Sequence, residues 1–208
     1  MEYLTELTTT AMKDFYRPHF FVNTPDINPV FLQTSGRPGF LIRAALAATL
    51  SGLWGVYNGF ELCEGRAVPG KEEYLDSEKY EIRAWDWDRP GNIVAEVTQL
   101  NAIRKLNPAL HSHHGVTFLR SDADGVLLFE KATPDRSNVL LVAIGLDPNR
   151  EQGVSFEVPY WRFGVPEGTA FEADDLVGGT QERWDGASRP LRLTLDRPYA
   201  IYRIRPAA

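Results

Sequence analysis

The sequence predicts an α/β segment followed by an all-β segment, with the change near residue 110. Two observations carry this prediction. Before residue 110, apolar residues at helical spacing alternate with short apolar runs that are typical of strands. After it, short runs with strand composition recur between turn signals, which is typical of an antiparallel β-sandwich. We therefore expect two domains, residues 1–110 and residues 111–208.

Three helices and two strands are predicted in the first segment. The second helix is rich in alanine and leucine and apolar on most faces, which indicates burial on more than one side. The third helix has a regular apolar stripe and follows Asn92, a residue type that caps helices well. The predicted helices cover residues 4–16, 37–50 and 93–106, and the predicted strands cover residues 19–23 and 53–57.

A long segment at residues 59–90 separates the second predicted strand from the third helix, and it is rich in charge, glycine and aromatic residues. Loops longer than about 12–15 residues without structure of their own are usually functional or disordered. The aromatic residues favour a functional loop. Trp85 and Trp87 can either stack on a sugar or pin the loop against the rest of the fold.

The second segment contains short strand candidates and no helical stripe. Turn signals such as Asp147-Pro148 and Gly178-Gly179 separate the candidates. The predicted strands cover residues 116–119, 125–129, 139–144, 154–158, 191–195 and 199–204.

Composition excludes several classes of protein. The 208 residues are 43% hydrophobic and 12% aromatic, enough for a sizeable core. Lys and Arg number 22 against 28 Asp and Glu, and the net charge of −6 argues against a nucleic-acid partner. No apolar run approaches the length of about 18 residues that a membrane span needs. Cys63 is the single cysteine, which fits a reducing compartment, so the sequence predicts a cytoplasmic protein without a membrane partner.

The order helix, strand, helix, strand, helix and then sandwich is typical of the end of a larger architecture, a (β/α)₈ barrel with a C-terminal β domain. Active-site residues of such barrels lie on the loops that follow the strands. The sequence offers two such positions, one after Asn23 and one after Tyr57. A length of 208 residues is short for a whole barrel.

Several ordered motifs resemble one enzyme family. Residues 19–26, HFFVNTPD, are similar to the fourth signature region of the α-amylase family, glycoside hydrolase family 13, in which a strand ends in Asn-x-Asp. Residues 55–61, GVYNGFE, are similar to its last signature region, at the eighth barrel strand. Within that family, stretches at 61–64, 73–80, 90–93 and 106–110 resemble the α-1,4-glucan:maltose-1-phosphate maltosyltransferases. The resemblance covers nearly the whole chain and weakens after about residue 116.

The resemblance implies transfer of maltosyl units from α-maltose-1-phosphate to α-1,4-glucans with retention, by a homodimeric enzyme without a cofactor. Retaining enzymes hold a nucleophile and an acid/base carboxyl about 5–5.5 Å apart. The resemblance places a third acid, the transition-state stabiliser, at Asp26, and it places contacts with the maltosyl unit at Lys79 and Tyr80. Hydrogen bonds from such an acid to the sugar strengthen as the oxocarbenium-like state develops.

In this family the nucleophile and the acid/base lie on strands that would precede Met1. We therefore expect the chain to hold the last two βα units of the barrel plus the sandwich, and to be inactive by itself. Two other functions stay open: a non-catalytic glucan-binding or assembly module, and one half of a split enzyme. An open barrel would also expose apolar surface at Phe20, Val22, Val56 and the helix at 37–50.

Each predicted site residue also has a purely structural alternative. An aspartate in an Asn-Thr-Pro-Asp turn often only completes the turn through a backbone hydrogen bond. Lys79 and Tyr80 would ordinarily be solvated loop residues. The histidines at 111, 113 and 114 superficially resemble a metal cluster. Zinc sites need three or four convergent ligands, and no cysteine or second histidine group supports one here, so we expect no metal.

Overall fold

The computed structural model describes residues 2–207. In the first segment, helices and strands alternate and three short 3₁₀ turns connect them. The helices are α1 Glu2–Thr9, α2 Val30–Thr34, α3 Gly36–Leu50 and α4 Val94–Leu106; the strands are β1 His19–Phe21 and β2 Leu53–Gly55; the 3₁₀ turns are Ala11–Asp14, Phe60–Leu62 and Pro108–His111. None of the helices within residues 2–207 combines the length and the apolar character needed to cross a bilayer.

Strands β1 and β2 are parallel neighbours joined through α3. Their register pairs His19 with Leu53 and Phe21 with Gly55. Parallel neighbours need a crossover connection, and α3 supplies it, so β1, α3 and β2 form a βαβ unit. The C-terminal ends of both strands therefore lie side by side, where Asn23 and Tyr57 follow them.

The first predicted helix is wrong in its length. Helix α1 ends at Thr9, and a 3₁₀ turn replaces its predicted continuation to about residue 16. The hydroxyl of Thr10 donates to the carbonyl of Glu6 at 2.8 Å and accepts from the amide of Met12 at 3.3 Å. Threonine side chains that bond the nearby backbone compete with the helix, which explains the early end.

The second segment is antiparallel, as predicted. Strands β3 to β5, β7, β8 and β10 form a six-stranded sheet in the order β3-β4-β5-β10-β7-β8, and β6 and β9 form a separate ribbon. The elements are β3 Val116–Phe118, β4 Val126–Ala132, β5 Val139–Gly145, β6 Gln152–Glu157, α5 Tyr160–Phe163, β7 Phe171–Asp175, β8 Thr180–Trp184, β9 Ser188–Leu193 and β10 Tyr199–Pro206.

The sequence pattern missed two strands, β7 and β8. Strand β7 reads FEADD, whose acidic residues are rare in strands. Strand β10 neutralises one of them, because Arg203 donates to Asp174 at 2.7 Å. Arg197, just before β10, donates to Asp175 at 2.5 Å. A strand stabilised by ion pairs with its neighbour carries no apolar alternation that the sequence could reveal.

The six-stranded sheet is covered on both faces. One face packs against α3 and α4 in a core to which both segments contribute, and the other face packs against the β6–β9 ribbon. Consequently every residue of β4 and β5 is buried. The first core includes Phe40, Leu41, Ala45, Leu100, Phe129, Leu140, Val142 and Ile201, and the second includes Leu128, Leu141, Phe156, Trp184, Leu193 and Tyr202.

This packing corrects part of the expected exposure. Helix α3 is largely buried, because the sheet and α4 cover it, and Val22 is 0% exposed. The prediction that α3 is buried on more than one side is confirmed. Exposed apolar surface remains at the strand pair itself, where Phe21 is 47%, Leu53 59% and Val56 37% exposed.

Lys131, on β4, ties the six-stranded sheet to residues 112–114, at the start of the second segment. It is 0% exposed, and its Nζ donates to the carbonyls of Ser112 and His114, both at 2.6 Å. Burial, with a smaller contribution from the charge of Arg104, lowers the pKa of Lys131 to about 7.

This depressed pKa predicts a pH-dependent stability. Between pH 7 and the pKa of about 10.4 of an unfolded lysine, the unfolded chain binds one proton more than the folded chain. We therefore expect the free energy of unfolding to rise with pH in this window, by up to about 1.4 kcal/mol per pH unit. Urea unfolding at several pH values measures it against Lys131→Met, which lacks this slope. A constant difference between the two proteins from pH 7 to 10 contradicts the prediction.

Candidate functional site

Asn23 ties together the three elements that build the site. It is 2% exposed, and its Nδ2 donates to the carbonyl of Tyr57 at 3.2 Å and to the hydroxyl of Tyr74 at 2.8 Å. The amide of Tyr57 donates back to its Oδ1 at 2.8 Å. One side chain therefore fixes the end of β1 against the chain after β2 and against the long loop. The motif at residues 19–26 contains Asn23 but does not by itself indicate this role.

The turn after Asn23 is closed by Thr24 and not by the aspartate. The hydroxyl of Thr24 accepts hydrogen bonds from the amides of Asp26 at 3.3 Å and Ile27 at 3.0 Å. The backbone groups of Thr24 and Ile27 also pair with each other. The carboxylate of Asp26 is therefore not needed to close the turn, and its side chain is 64% exposed.

Lys79 and Tyr80 lie beside Asp26, although 53 residues separate Lys79 from it in sequence. The Nζ of Lys79 donates to Oδ1 of Asp26 at 2.5 Å and lies 5.3 Å from the centroid of the Tyr80 ring. The hydrogen bond from Lys79 to Asp26 raises the pKa of the lysine above its ordinary value. Tyr80 is 77% exposed. The three residues that the sequence analysis selected thus form one group.

Residues 59–90 are fastened to the chain that follows β1. The hydroxyl of Ser77 donates to the carbonyl of Pro25 and accepts from the amide of Lys79, both at 3.3 Å. The amide of Asn28 donates to the carbonyl of Glu72 at 2.8 Å. These bonds set the distance between Asp26 and the loop that carries Lys79.

Glu64 stabilises the interior of the loop at residues 59–90 through ion pairs. Its carboxylate is 2% exposed, and it accepts from Arg66 at 3.0 and 3.2 Å and from Arg83 at 3.2 Å. The guanidinium of Arg89 lies 3.5 Å away. Burial opposes ionisation, but the hydrogen bonds from Arg66 and the charges of Arg66 and Arg83 outweigh it and lower the pKa of Glu64. Glu64 is therefore an ionised anchor that three arginines of one loop share.

Trp85 pins the loop onto the chain after β2. Its indole N–H donates to Glu78 at 2.8 Å, and the Arg83 guanidinium carbon lies 4.2 Å from its ring centroid. Gly59 has a φ of +91°, and a Cβ there would come within 2.5 Å of the Trp85 ring. This position therefore requires glycine, and the geometry supports pinning over sugar stacking for Trp85. Trp87 is 49% exposed.

A cleft of about 360 Å³ contains the predicted site. Its lining includes Asp26, Lys79 and Tyr80 together with the side chains of Tyr74 and Ser77. Carboxylate, ammonium and hydroxyl groups around one cleft suit a ligand rich in hydroxyls.

The histidines at 113 and 114 make packing contacts in the described part of the chain. Among residues 2–207, no three His, Cys, Asp or Glu side chains converge as metal ligands would. The ring of His113 stacks on that of His114, with 4.1 Å between the centroids. The Nε2 of His113 lies 2.7 Å from the carbonyl of Lys13, so this histidine takes part in packing.

Several solved structures with a similar fold are α-amylases. The α-amylase of Geobacillus thermoleovorans matches with a TM-score of 0.66 at 15% identity, over 93% of this chain and 40% of that one. An Anoxybacillus α-amylase matches with a TM-score of 0.65 at 18% identity, over 93% and 39%. At such identities the likeness concerns the fold alone: the chain resembles the C-terminal regions of those enzymes, with a mainly antiparallel β domain.

Sequence comparison narrows the relationship. The family profile described as "GLGE, C-terminal" matches residues 118–203. The α-1,4-glucan:maltose-1-phosphate maltosyltransferase of Pseudomonas aeruginosa is 53% identical over 98% of this chain, and that of Cereibacter sphaeroides is 48% identical over 98%. The chain spans 31% of the length of each of these relatives. By sequence the chain is similar to the α-1,4-glucan:maltose-1-phosphate maltosyltransferases, and the similarity fits their C-terminal portion.

Proposed function

We propose that the chain acts as the C-terminal portion of a maltosyltransferase, which transfers maltosyl units from α-maltose-1-phosphate to the non-reducing end of α-1,4-glucans with retention, in α-glucan synthesis. One observation carries the proposal. Asp26, Lys79 and Tyr80, which the family resemblance selects, converge in one cleft from positions 53 residues apart. We include in the proposal the homodimeric state, the cytoplasmic location and the absence of a cofactor.

In this proposal, residues 1–110 are the last two βα units of the catalytic barrel and residues 111–208 are the sandwich domain. The parallel pair β1 and β2, joined through α3, supports it. Asp26 follows β1 and Lys79 follows β2, and catalytic residues of such barrels lie at that end of the strands. The exposed apolar residues Phe21 and Leu53 are where further strands of a barrel would pack.

Each residue then has a role in binding the sugar. The Asp26 carboxylate accepts hydrogen bonds from the hydroxyls of the bound ring, and these strengthen as positive charge develops at the anomeric carbon. Lys79 donates to sugar hydroxyls and orients Asp26 through their shared hydrogen bond. Tyr80 presents a largely exposed ring and hydroxyl beside them. The nucleophile and the acid/base belong to the remaining part of the enzyme.

Two proteins test this division of labour: residues 1–208 alone, and the same residues fused behind the remaining segment of the Pseudomonas aeruginosa relative, which is 53% identical over the shared part. We expect the fusion to release phosphate from α-maltose-1-phosphate in the presence of glycogen, with product anomers assigned by NMR. The 208-residue chain releases none, because Asp26 by itself cannot attack an anomeric carbon. Phosphate release by the chain alone overturns the proposed division, and a folded but inactive fusion overturns the proposed function.

A further inference from the structure

A second cleft, of about 730 Å³, lies between residues 108–115, which follow α4, and the six-stranded sheet. It shares no lining residue with the cleft around Asp26. Its volume lies within the range of about 300–1,000 Å³ that is typical of small-molecule sites. Its lining includes Ala109, Ser112, His114, Arg136, Trp161 and Arg162.

The short helix α5 leaves its tryptophan outside the packing of the domain. Tyr160 is 3% exposed and donates through its hydroxyl to the carbonyl of Gly186 at 2.5 Å. The ring of Phe163 packs against that of Phe171, with 4.9 Å between the centroids. Trp161 is 56% exposed, and its indole N–H donates no hydrogen bond to any other residue of the described chain. A flat aromatic face and a donor are therefore free at the cleft.

Two arginines of the same cleft are held rigidly by one buried carboxylate. Glu130 is 0% exposed, and Arg136 donates to both of its oxygens at 2.9 Å. Arg162 donates to Glu130 at 3.0 Å and to the hydroxyl of Thr117 at 3.1 Å. A guanidinium has five N–H donors, so each arginine keeps donors beyond those that Glu130 uses. The cleft thus presents donors in a fixed arrangement beside the aromatic face.

His114 adds a group that can both donate and accept. Burial, and next the neighbouring charge of His113, lowers the pKa of His114. At pH 7 its imidazole is neutral and carries one donor and one acceptor nitrogen. A sugar hydroxyl also both donates and accepts, so it can pair with either nitrogen of this imidazole.

We propose that this cleft binds an α-1,4-glucan chain, with the apolar face of a glucose ring against Trp161 and its hydroxyls on Arg136, Arg162 and His114. The choice of an α-1,4-linked glucose polymer rests on the proposed function; the chemical class, a neutral saccharide, rests on the cleft. An amphipathic ligand fits because the Trp161 ring packs against an apolar surface, while Arg136, Arg162 and His114 form hydrogen bonds with hydroxyls. Glu130 offsets one of the two guanidinium charges, so the cleft carries less positive charge than two unpaired arginines would give it. The site would hold the acceptor polymer away from the Asp26 cleft.

The test titrates the ¹⁵N-labelled full chain with maltoheptaose and follows the tryptophan indole signals by NMR. We expect the Trp161 signal to shift with saturation, and Trp161→Ala to raise the Kd at least about fivefold, since base–aromatic stacking of similar area is worth about 1–3 kcal/mol. Tyr16→Ala is the matched control, because Tyr16 is an aromatic residue that is 48% exposed and lines neither cleft. It should leave the Kd within about twofold of the unchanged chain.

Two further arms decide the ligand class, and the readout separates this proposal from the proposed function. The Kd is read from the Trp161 signal of the 208-residue chain, so an inactive fusion protein leaves this result intact. Cellohexaose, with β-1,4 links, should bind at least about tenfold more weakly. Inorganic phosphate should not displace maltoheptaose. An unchanged Kd in Trp161→Ala, equal binding of cellohexaose, or displacement by phosphate each overturns the proposal.

Discussion

Asp26→Asn is expected to lower the kcat of maltosyl transfer by about 10²–10³-fold in the fusion protein, which is the cost typical of losing one group that stabilises developing charge. The substitution keeps the size of the side chain and removes its charge. The carboxylate is 64% exposed and the turn is closed by Thr24, so folding does not depend on it. We therefore expect an almost unchanged Tm together with a large loss of turnover. Steady-state phosphate release and thermal unfolding measure the two quantities.

Asp88→Asn is the matched control for this experiment. Asp88 lies in the same loop as Lys79, is exposed, and does not line the cleft. The substitution Asp88→Asn removes one negative charge outside the cleft, so the kcat of this variant should stay within about twofold of that of the unsubstituted fusion protein. Near-normal turnover in Asp26→Asn removes Asp26 from its proposed role. A large loss of Tm in that variant would instead show that the carboxylate is structural.

The convergence of Asp26 and Lys79 shows what the sequence could predict about this site. The motif after β1 and the motif within residues 73–80 selected both residues, and the parallel strands bring the segments that follow them to the same end. The groups that hold the arrangement were not predictable in the same way. Glu64 gathers Arg66, Arg83 and Arg89, whose spacing follows no helical or strand period. Their association depends on how the loop closes, and closure is a three-dimensional property.

The fold likewise has parts that the sequence predicted and parts that it did not. The apolar character of α3 on most faces predicted its burial on several sides, and the six-stranded sheet supplies the second side. Strand β7 escaped prediction because the residues that stabilise Asp174 and Asp175 lie more than 20 positions away, on and just before β10. Apolar periodicity reports which face of an element is buried. It carries no information about charged residues whose partners come from elsewhere in the chain.

Glu130→Gln is expected to lower the free energy of unfolding by about 2–4 kcal/mol. Breaking a buried ion pair by removal of one partner costs about 3–5 kcal/mol, and the partial exposure of both arginines reduces this figure. Glu130 is 0% exposed, while the side chains of Arg136 and Arg162 are 28% and 34% exposed. The amide of glutamine offers one acceptor oxygen and no charge, so the two partly exposed guanidinium groups lose their anionic partner. Urea unfolding at pH 7 measures the change.

The pH dependence of the same variant separates lost charge from lost packing. Burial raises the pKa of Glu130, but hydrogen bonds from Arg136 and Arg162 and their charges outweigh it, so the folded-state pKa lies below the ordinary value. A depressed carboxyl pKa contributes stability above the unfolded pKa, and the contribution disappears as pH falls through the folded pKa. The difference in the free energy of unfolding between Glu130→Gln and the unchanged chain should therefore shrink on acidification below the ordinary glutamate pKa.

Asp185→Asn is the control variant. It breaks the exposed pair with Arg183 and should lower the free energy of unfolding by less than about 1 kcal/mol. A difference for Glu130→Gln that is equally small, or that persists unchanged in acid, would mean that the buried carboxylate contributes by its shape and not by its charge.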